Sequence, residues 1–226
     1  MPPGARRLPP ALWAAGLGAF AIALLLLAGL AVDRYPFGFD RAIMLGLRVP
    51  GHLETPVGPH WLLVTMVDLT ALGSVAVLTL VSVGTVGLLL VERRRLTASL
   101  VAAATISGSV AVNLLKAHVG RARPTIVPHL VEAKGMSFPS GHSAGSAFVY
   151  LTIAALTTQI VRGRGARRYI VVVAVLLVGA IGISRVFLGV HWPSDVMAGW
   201  SFGTLWALGW WRLGAGLRAS AGGERE

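Results

Sequence analysis

The sequence predicts an all-α integral membrane protein, a bundle of six transmembrane helices with short extracytoplasmic interfacial helices. Three observations point there: composition, the length of the apolar runs, and where the basic residues fall. Of 226 residues, 55% are hydrophobic and only 13% are charged. That is about half the charged share of a soluble domain, too little to furnish a water-facing surface. Apolar runs approach the roughly 20 residues a helix needs to cross the hydrocarbon core. The net charge of +11 does not indicate nucleic acid, because the basic residues sit between the runs rather than along one polar face. The absence of cysteine excludes disulfides, thiolate metal sites and cysteine nucleophiles.

The expected spans are residues 11–32, 72–91, 96–115, 143–161, 169–184 and 196–211. The first follows Arg6 and Arg7 but exceeds the roughly 7 to 15 apolar residues of a signal peptide core, so it reads as a retained helix. Residues 35–71 mix Pro, Gly and charged residues with moderately apolar stretches and fit short interfacial helices. Asp68, an acid beside an apolar stretch, is expected to cap the following helix or to hold a basic residue of the site rather than to catalyse. Residues 219–226 read as a frayed tail. With no internal repeat or linker, one domain covers residues 1–226. Six spans place both termini on one side, and twelve of the twenty basic residues fall on that side. By the positive-inside rule the termini are expected in the cytoplasm, and the arginine-rich, alanine-rich, lysine-poor composition suggests a bacterial inner membrane.

Three clusters then fall on the opposite, extracytoplasmic side. Lys116 ends the third span, and Arg123-Pro124 follows seven residues later, with Arg121 between them. Alone, these are ordinary snorkelling cations. Pro139-Ser140-Gly141-His142 leads into the fourth span as a helix start. Ser140 suits the N-cap, Gly141 lets a ligand approach free backbone N–H groups, and His142 stands ready to give or take a proton. In isolation the tetrapeptide could equally be a capped helix with an interfacial histidine. Ser184-Arg185 precedes His191, and Asp195 lies four residues further, one turn along a helix beginning near Pro193. A carboxylate there can hold one imidazole nitrogen and aim the other outward as a nucleophile. The bland alternative is a His–Asp surface pair. Phosphoryl transfer needs a nucleophile, an acid and much positive charge for the equatorial oxygens, and the three clusters supply each of these.

Together these segments resemble the three signature motifs of the type 2 phosphatidic acid phosphatase family, in order and spacing over roughly residues 60–205. Lys116 with Arg123-Pro124 is similar to the first motif, Pro139 to His142 to the second, and Ser184-Arg185, His191 and Asp195 to the third. The resemblance implies that His191 attacks phosphorus, Asp195 orients it and His142 protonates the leaving oxygen. It further implies that Lys116, Arg123, Ser140, Gly141 and Arg185 hold the phosphoryl oxygens, with no metal or other cofactor. The implied activity is hydrolysis of a membrane lipid phosphate or pyrophosphate through a phosphohistidine. Polyprenyl (undecaprenyl) pyrophosphate is the first choice of substrate, followed by phosphatidylglycerol phosphate and phosphatidate. A lipid phosphotransferase using the same site and a non-catalytic protein that binds or transports anionic lipid are the alternatives.

Overall fold

The computed structural model describes residues 37–161 and 163–223, together with Gly18. Helix α1 (Gly38–Gly46) leads into a two-stranded antiparallel hairpin, β1 (Arg48–Val49) and β2 (His52–Pro56). Then come α2 (His60–Ala71), α3 (Val75–Val91), α4 (Arg95–Val119), α5 (Gly141–Ile160), α6 (Arg164–Phe187) and α7 (Pro193–Gly223). Five of the six expected spans therefore fall on α3 to α7. The sixth, residues 11–32, lies outside the described residues.

Local chemistry sets the ends of these helices. Ser74 opens α3 and accepts a hydrogen bond from the Val77 N–H, so the cap expected from Asp68 belongs to Ser74; Asp68 is exposed on α2. Gly120 closes α4 in the left-handed region at φ 63° and donates to the Lys116 carbonyl, a conformation that a side chain would strain. Ser140 caps α5. Pro193 opens α7, where a missing N–H costs nothing. Helix α7 runs on to Gly223, so residues 219–223 are helical rather than a frayed tail. At 31 residues it is about 46 Å long.

Helices α4 and α6 are each long and apolar enough to cross a membrane. The pair α2 and α3, bent by 49° at the break between them, makes a third if taken as one span. Helices α5 and α7 are long enough but less apolar, because small and polar residues line the face they share. They form the most extensive helix pair in the fold. A Cβ on Gly203 would lie 2.4 Å from the Ala147 Cβ, and one on Gly199 would lie 2.8 Å from the Ser140 carbonyl. Close approach of this kind needs glycine on one helix and small residues on the other. Outside the bundle, Leu80, Val83 and Leu88 on α3, Ile106 and Leu114 on α4, and Leu176 on α6 are exposed. Such a surface suits hydrocarbon, not water.

The chain direction brings four helix ends to one pole: the C-termini of α4 and α6 and the N-termini of α5 and α7. Helix α1 packs on α7 there, and α2 packs on α6. Leu62, Leu63 and Met66 of α2 cover buried Phe187, Leu188 and Val190 in the turn before α7.

Candidate active site

His191 sits in that turn, buried with only 2% of its surface exposed. Asp195, one helical turn later, accepts the Trp192 N–H at 2.9 Å on Oδ2, which is half of a capping box and locks its carboxylate beside the histidine. The imidazole Nδ1 is 3.5 Å from that Oδ2 and 3.4 Å from the Ser137 hydroxyl. Ser137 in turn donates to Asp195 Oδ2. The serine thus bridges ring and carboxylate, where the spacing had suggested a direct contact alone. On the other side of the ring, Arg123 Nη1 donates to Nε2 at 3.2 Å. An arginine can only donate, so Nε2 carries the lone pair and Nδ1 the proton. Burial pushes this imidazole down to about 4 from its ordinary 6.5; the contact with Asp195 works against that shift, while Arg123 and Arg185 add to it.

Arg123 is itself tied down by carbonyls. It donates to Gly135 at 3.0 Å, Lys134 at 2.8 Å and Val190 at 2.8 Å. Lys116 Nζ donates to the Met136 carbonyl at 3.0 Å, and its side chain passes over Gly141, where an added Cβ would stand 3.5 Å from Cε. The Lys116 chain and the free N–H groups of the first turn of α5 therefore adjoin. The hydroxyl of Ser140 is engaged as the cap, accepting the Ser143 N–H at 3.4 Å and its hydroxyl at 3.0 Å. The Ser140 N–H donates to the Asp195 carbonyl at 3.0 Å, which fastens the second segment to the third. Arg185 is buried at the end of α6 and donates to Thr70 Oγ1 at 2.7 Å, with its Nε unpartnered. His142 packs against the α2–α3 turn, since a Cβ on Gly73 would meet its ring at 3.3 Å. Burial pushes the His142 imidazole down to about 3, and Arg185, His191, Arg123 and Lys116 add to that shift. The eight residues singled out in the sequence thus share one end of the bundle. An open apolar groove of about 380 Å³ lies elsewhere, along Phe202 to Leu213 of α7, and offers no group for phosphate chemistry.

The model of the PAP2 superfamily matches residues 97–218, more than half of the chain and all three motif segments. The chain belongs to the PAP2 superfamily. It is 40% identical over 93 residues to phosphatidylglycerophosphatase B of Bacillus subtilis strain 168, covering 41% of this chain and 45% of that protein. It is 36% identical over 110 residues to a lipid A 1-phosphatase of Rhizobium etli, covering 45% of this chain and 41% of the relative. The PAP2 chain thus spans under half the length of these curated relatives. Among solved structures it is similar to the first transmembrane PAP2-type phosphatidylglycerolphosphate phosphatase from Bacillus subtilis. There the TM-score is 0.75 at 27% identity, covering 91% of this chain and 96% of that one. Its similarity to Aquifex aeolicus LpxE has a TM-score of 0.54 at 26% identity, covering 69% and 88%.

Two features of this PAP2 site were not read from the sequence. Ser137 lies two residues before the second motif, and only its burial against Asp195 marks it. Arg121, which the sequence showed only as a further cation between Lys116 and Arg123, is buried, 74 residues away in sequence from its partner Asp195, and donates to Oδ1 at 2.6 Å. Its other partner is Asp40 of α1, at 3.0 Å. Nothing near Asp40 in the sequence signals this. Of the other histidines near the first motif, His129 donates from Nε2 to the Pro124 carbonyl at 2.8 Å, and His118 is exposed. Among the described residues no group of three or more His, Cys, Asp or Glu is placed to hold a metal ion.

Proposed function

We propose that this chain is a membrane-embedded lipid phosphatase that hydrolyses a phosphate ester or anhydride on a lipid headgroup through a phosphohistidine at His191. The observation that carries this is the state of the His191 ring: Nδ1 faces Ser137 and Asp195, and the Nε2 lone pair faces the Arg123 guanidinium. A phosphoryl group entering beside Arg123 draws the guanidinium N–H onto its own oxygens and so frees that lone pair to attack phosphorus. The P–N bond forms as the bond to the leaving oxygen breaks, and His142, which takes up a proton as the phosphate's negative charge offsets the surrounding cations, gives that proton to the departing oxygen. Water then attacks phosphorus, His142 takes its proton, and the P–N bond breaks to release phosphate. Lys116, Arg123, Arg185 and the first-turn N–H groups at Gly141 stabilise the equatorial oxygens, with Ser140 fixing that turn. The reading requires no metal. It treats residues 1–226 as one domain with six spans, both termini in the cytoplasm and the site at the extracytoplasmic surface.

The named relatives, a phosphatidylglycerophosphatase and a lipid A 1-phosphatase, favour a lipid phosphate monoester. Phosphatidylglycerol phosphate accordingly moves ahead of polyprenyl pyrophosphate and phosphatidate. Detergent-purified protein, assayed with a chelator against these three lipids and a soluble phosphate ester, is expected to release phosphate from lipid and to prefer phosphatidylglycerol phosphate. In ¹⁸O-labelled water the released phosphate gains the isotope, which separates hydrolysis from transfer to another acceptor. His191→Ala abolishes release. Full activity in that variant, or a preference for the soluble ester, overturns the proposal.

A further inference from the structure

We infer that Asp40 and Arg121 are positioning residues for the reacting histidine, acting through Asp195; the inference rests on the phosphatase reading above. Arg121 stretches its guanidinium between two carboxylates, with Nη1 on Asp195 Oδ1 at 2.6 Å and Nη2 on Asp40 Oδ2 at 3.0 Å. Both carboxylates are fully buried. Ser194 closes the cluster. It accepts from Arg121 Nη1 at 2.7 Å, donates its hydroxyl to Asp40 Oδ2 at 2.7 Å, and gives its N–H to Asp40 Oδ1 at 2.8 Å. Trp192 lies under the guanidinium at 5.7 Å from its centroid. Asp40 therefore fixes the first turn of α7 from outside, and that turn carries Asp195.

Charge gives the arrangement a second consequence. An Asp195–Arg121 pair by itself is neutral and would pull weakly on the His191 ring. The Asp40 carboxylate returns the cluster to a net negative charge, and its position on the N–H of Ser194 is one that the α7 dipole favours. When Nε2 takes the phosphoryl group, the ring becomes positive and a negative cluster behind Nδ1 stabilises it. Burying three charged groups together is costly in desolvation even with every carboxylate oxygen hydrogen-bonded, and the Arg121 Nε stays unpartnered. Asp40 stands outside residues 97–218 matched by the family, so the segment before that match would contribute directly to the rate.

Asp40→Asn keeps the shape and removes the charge; Arg121→Lys keeps the charge and removes the fork. Each is compared with wild type, His191→Ala and Asp68→Asn, an exposed carboxylate as control. The readouts are kcat and KM on the preferred lipid phosphate, single-turnover labelling of the histidine, and the thermal unfolding midpoint in detergent. Asp40→Asn and Arg121→Lys are expected to lower kcat by roughly ten- to a hundredfold, as loss of a group supporting a catalytic ligand does. KM stays within about threefold, phosphohistidine forms correspondingly slowly, and Asp68→Asn behaves as wild type. Should Arg121→Lys fail to fold, the near-isosteric Asp40→Asn still decides. Wild-type kcat in folded Asp40→Asn, alongside an inactive His191→Ala, overturns the positioning role alone. A raised KM with kcat intact places these residues on the substrate instead and also overturns it. A wild type inert towards every lipid removes the phosphatase reading and this inference together.

Discussion

The proposed mechanism needs the His191 imidazole neutral when substrate arrives, and its surroundings hold it that way. Burial brings it down to about 4, so protonation silences it only below that value, and it is unprotonated throughout the neutral range. The acid limb of kcat/KM, which reports the free enzyme, is therefore expected near pH 4 rather than near 6.5. Rates must first be corrected for the substrate phosphate, which changes charge at about pH 6. A corrected limb near 6.5 would mean a solvated ring and would contradict the burial. The pairing of His191 with Asp195 was legible because a four-residue separation at a helix start has one geometric meaning. Ser137, Arg121 and Asp40 resisted reading for the opposite reason. Asp40 reaches its partners across 81 and 154 residues, and no local pattern encodes contacts that long.

Helices α5 and α7 hold the second and third motif segments together, and their separation decides whether His142 and His191 flank one phosphorus. At Gly203 an added methyl group would meet Ala147 and the Ala144 carbonyl at 2.4 and 2.7 Å, with backbone on one side and no flexible side chain to yield. Gly203→Ala is expected to cost about 1 to 3 kcal/mol from overpacking and to lower activity by parting the two motif segments. Gly209, six residues along the same helix, faces open space. There the same substitution is expected to gain about 1 kcal/mol from helix propensity and leave activity unchanged. Thermal unfolding in detergent checks both, and equal stability of the two variants would show that α5 and α7 are not closely packed. Apolar runs made α3 to α7 legible as helices, but not their ends: α7 outlasts its apolar stretch because Ala, Leu and Arg favour helix and carry it past the glycines among them. The hairpin was invisible, since strands of two and five residues are too short to show alternation.

Among the described residues, two groups of basic residues stand at opposite poles. Arg93, Arg94, Arg95, Arg164, Arg167 and Arg168 gather where α3 meets α4 and α5 meets α6. Lys116, Arg121, Arg123 and Arg185 sit at the opposite pole, bound to carbonyls, carboxylates or a threonine hydroxyl. The positive-inside rule counts cations as though all were flank charges, so those tied into the site understate the bias; the proposed topology, in which the α3–α4 turn faces the cytoplasm, rests on the other group, of which Arg167 is held by the Val161 carbonyl at 2.6 Å. Labelling can test this cleanly, because the chain has no cysteine and any introduced thiol is unique. Glu132→Cys lies in the exposed loop between α4 and α5, and Arg93→Cys in the α3–α4 turn, with the 25 residues of α4, about 37 Å of helix, between the two poles. A membrane-impermeant maleimide is expected to label Glu132→Cys in intact spheroplasts and Arg93→Cys only after permeabilisation. The reverse pattern would turn the site towards the cytoplasm and limit its substrates to the inner leaflet. Labelling of both from outside would mean that α4 does not cross the bilayer, and the convergence of four helix ends at one surface would lose its membrane meaning.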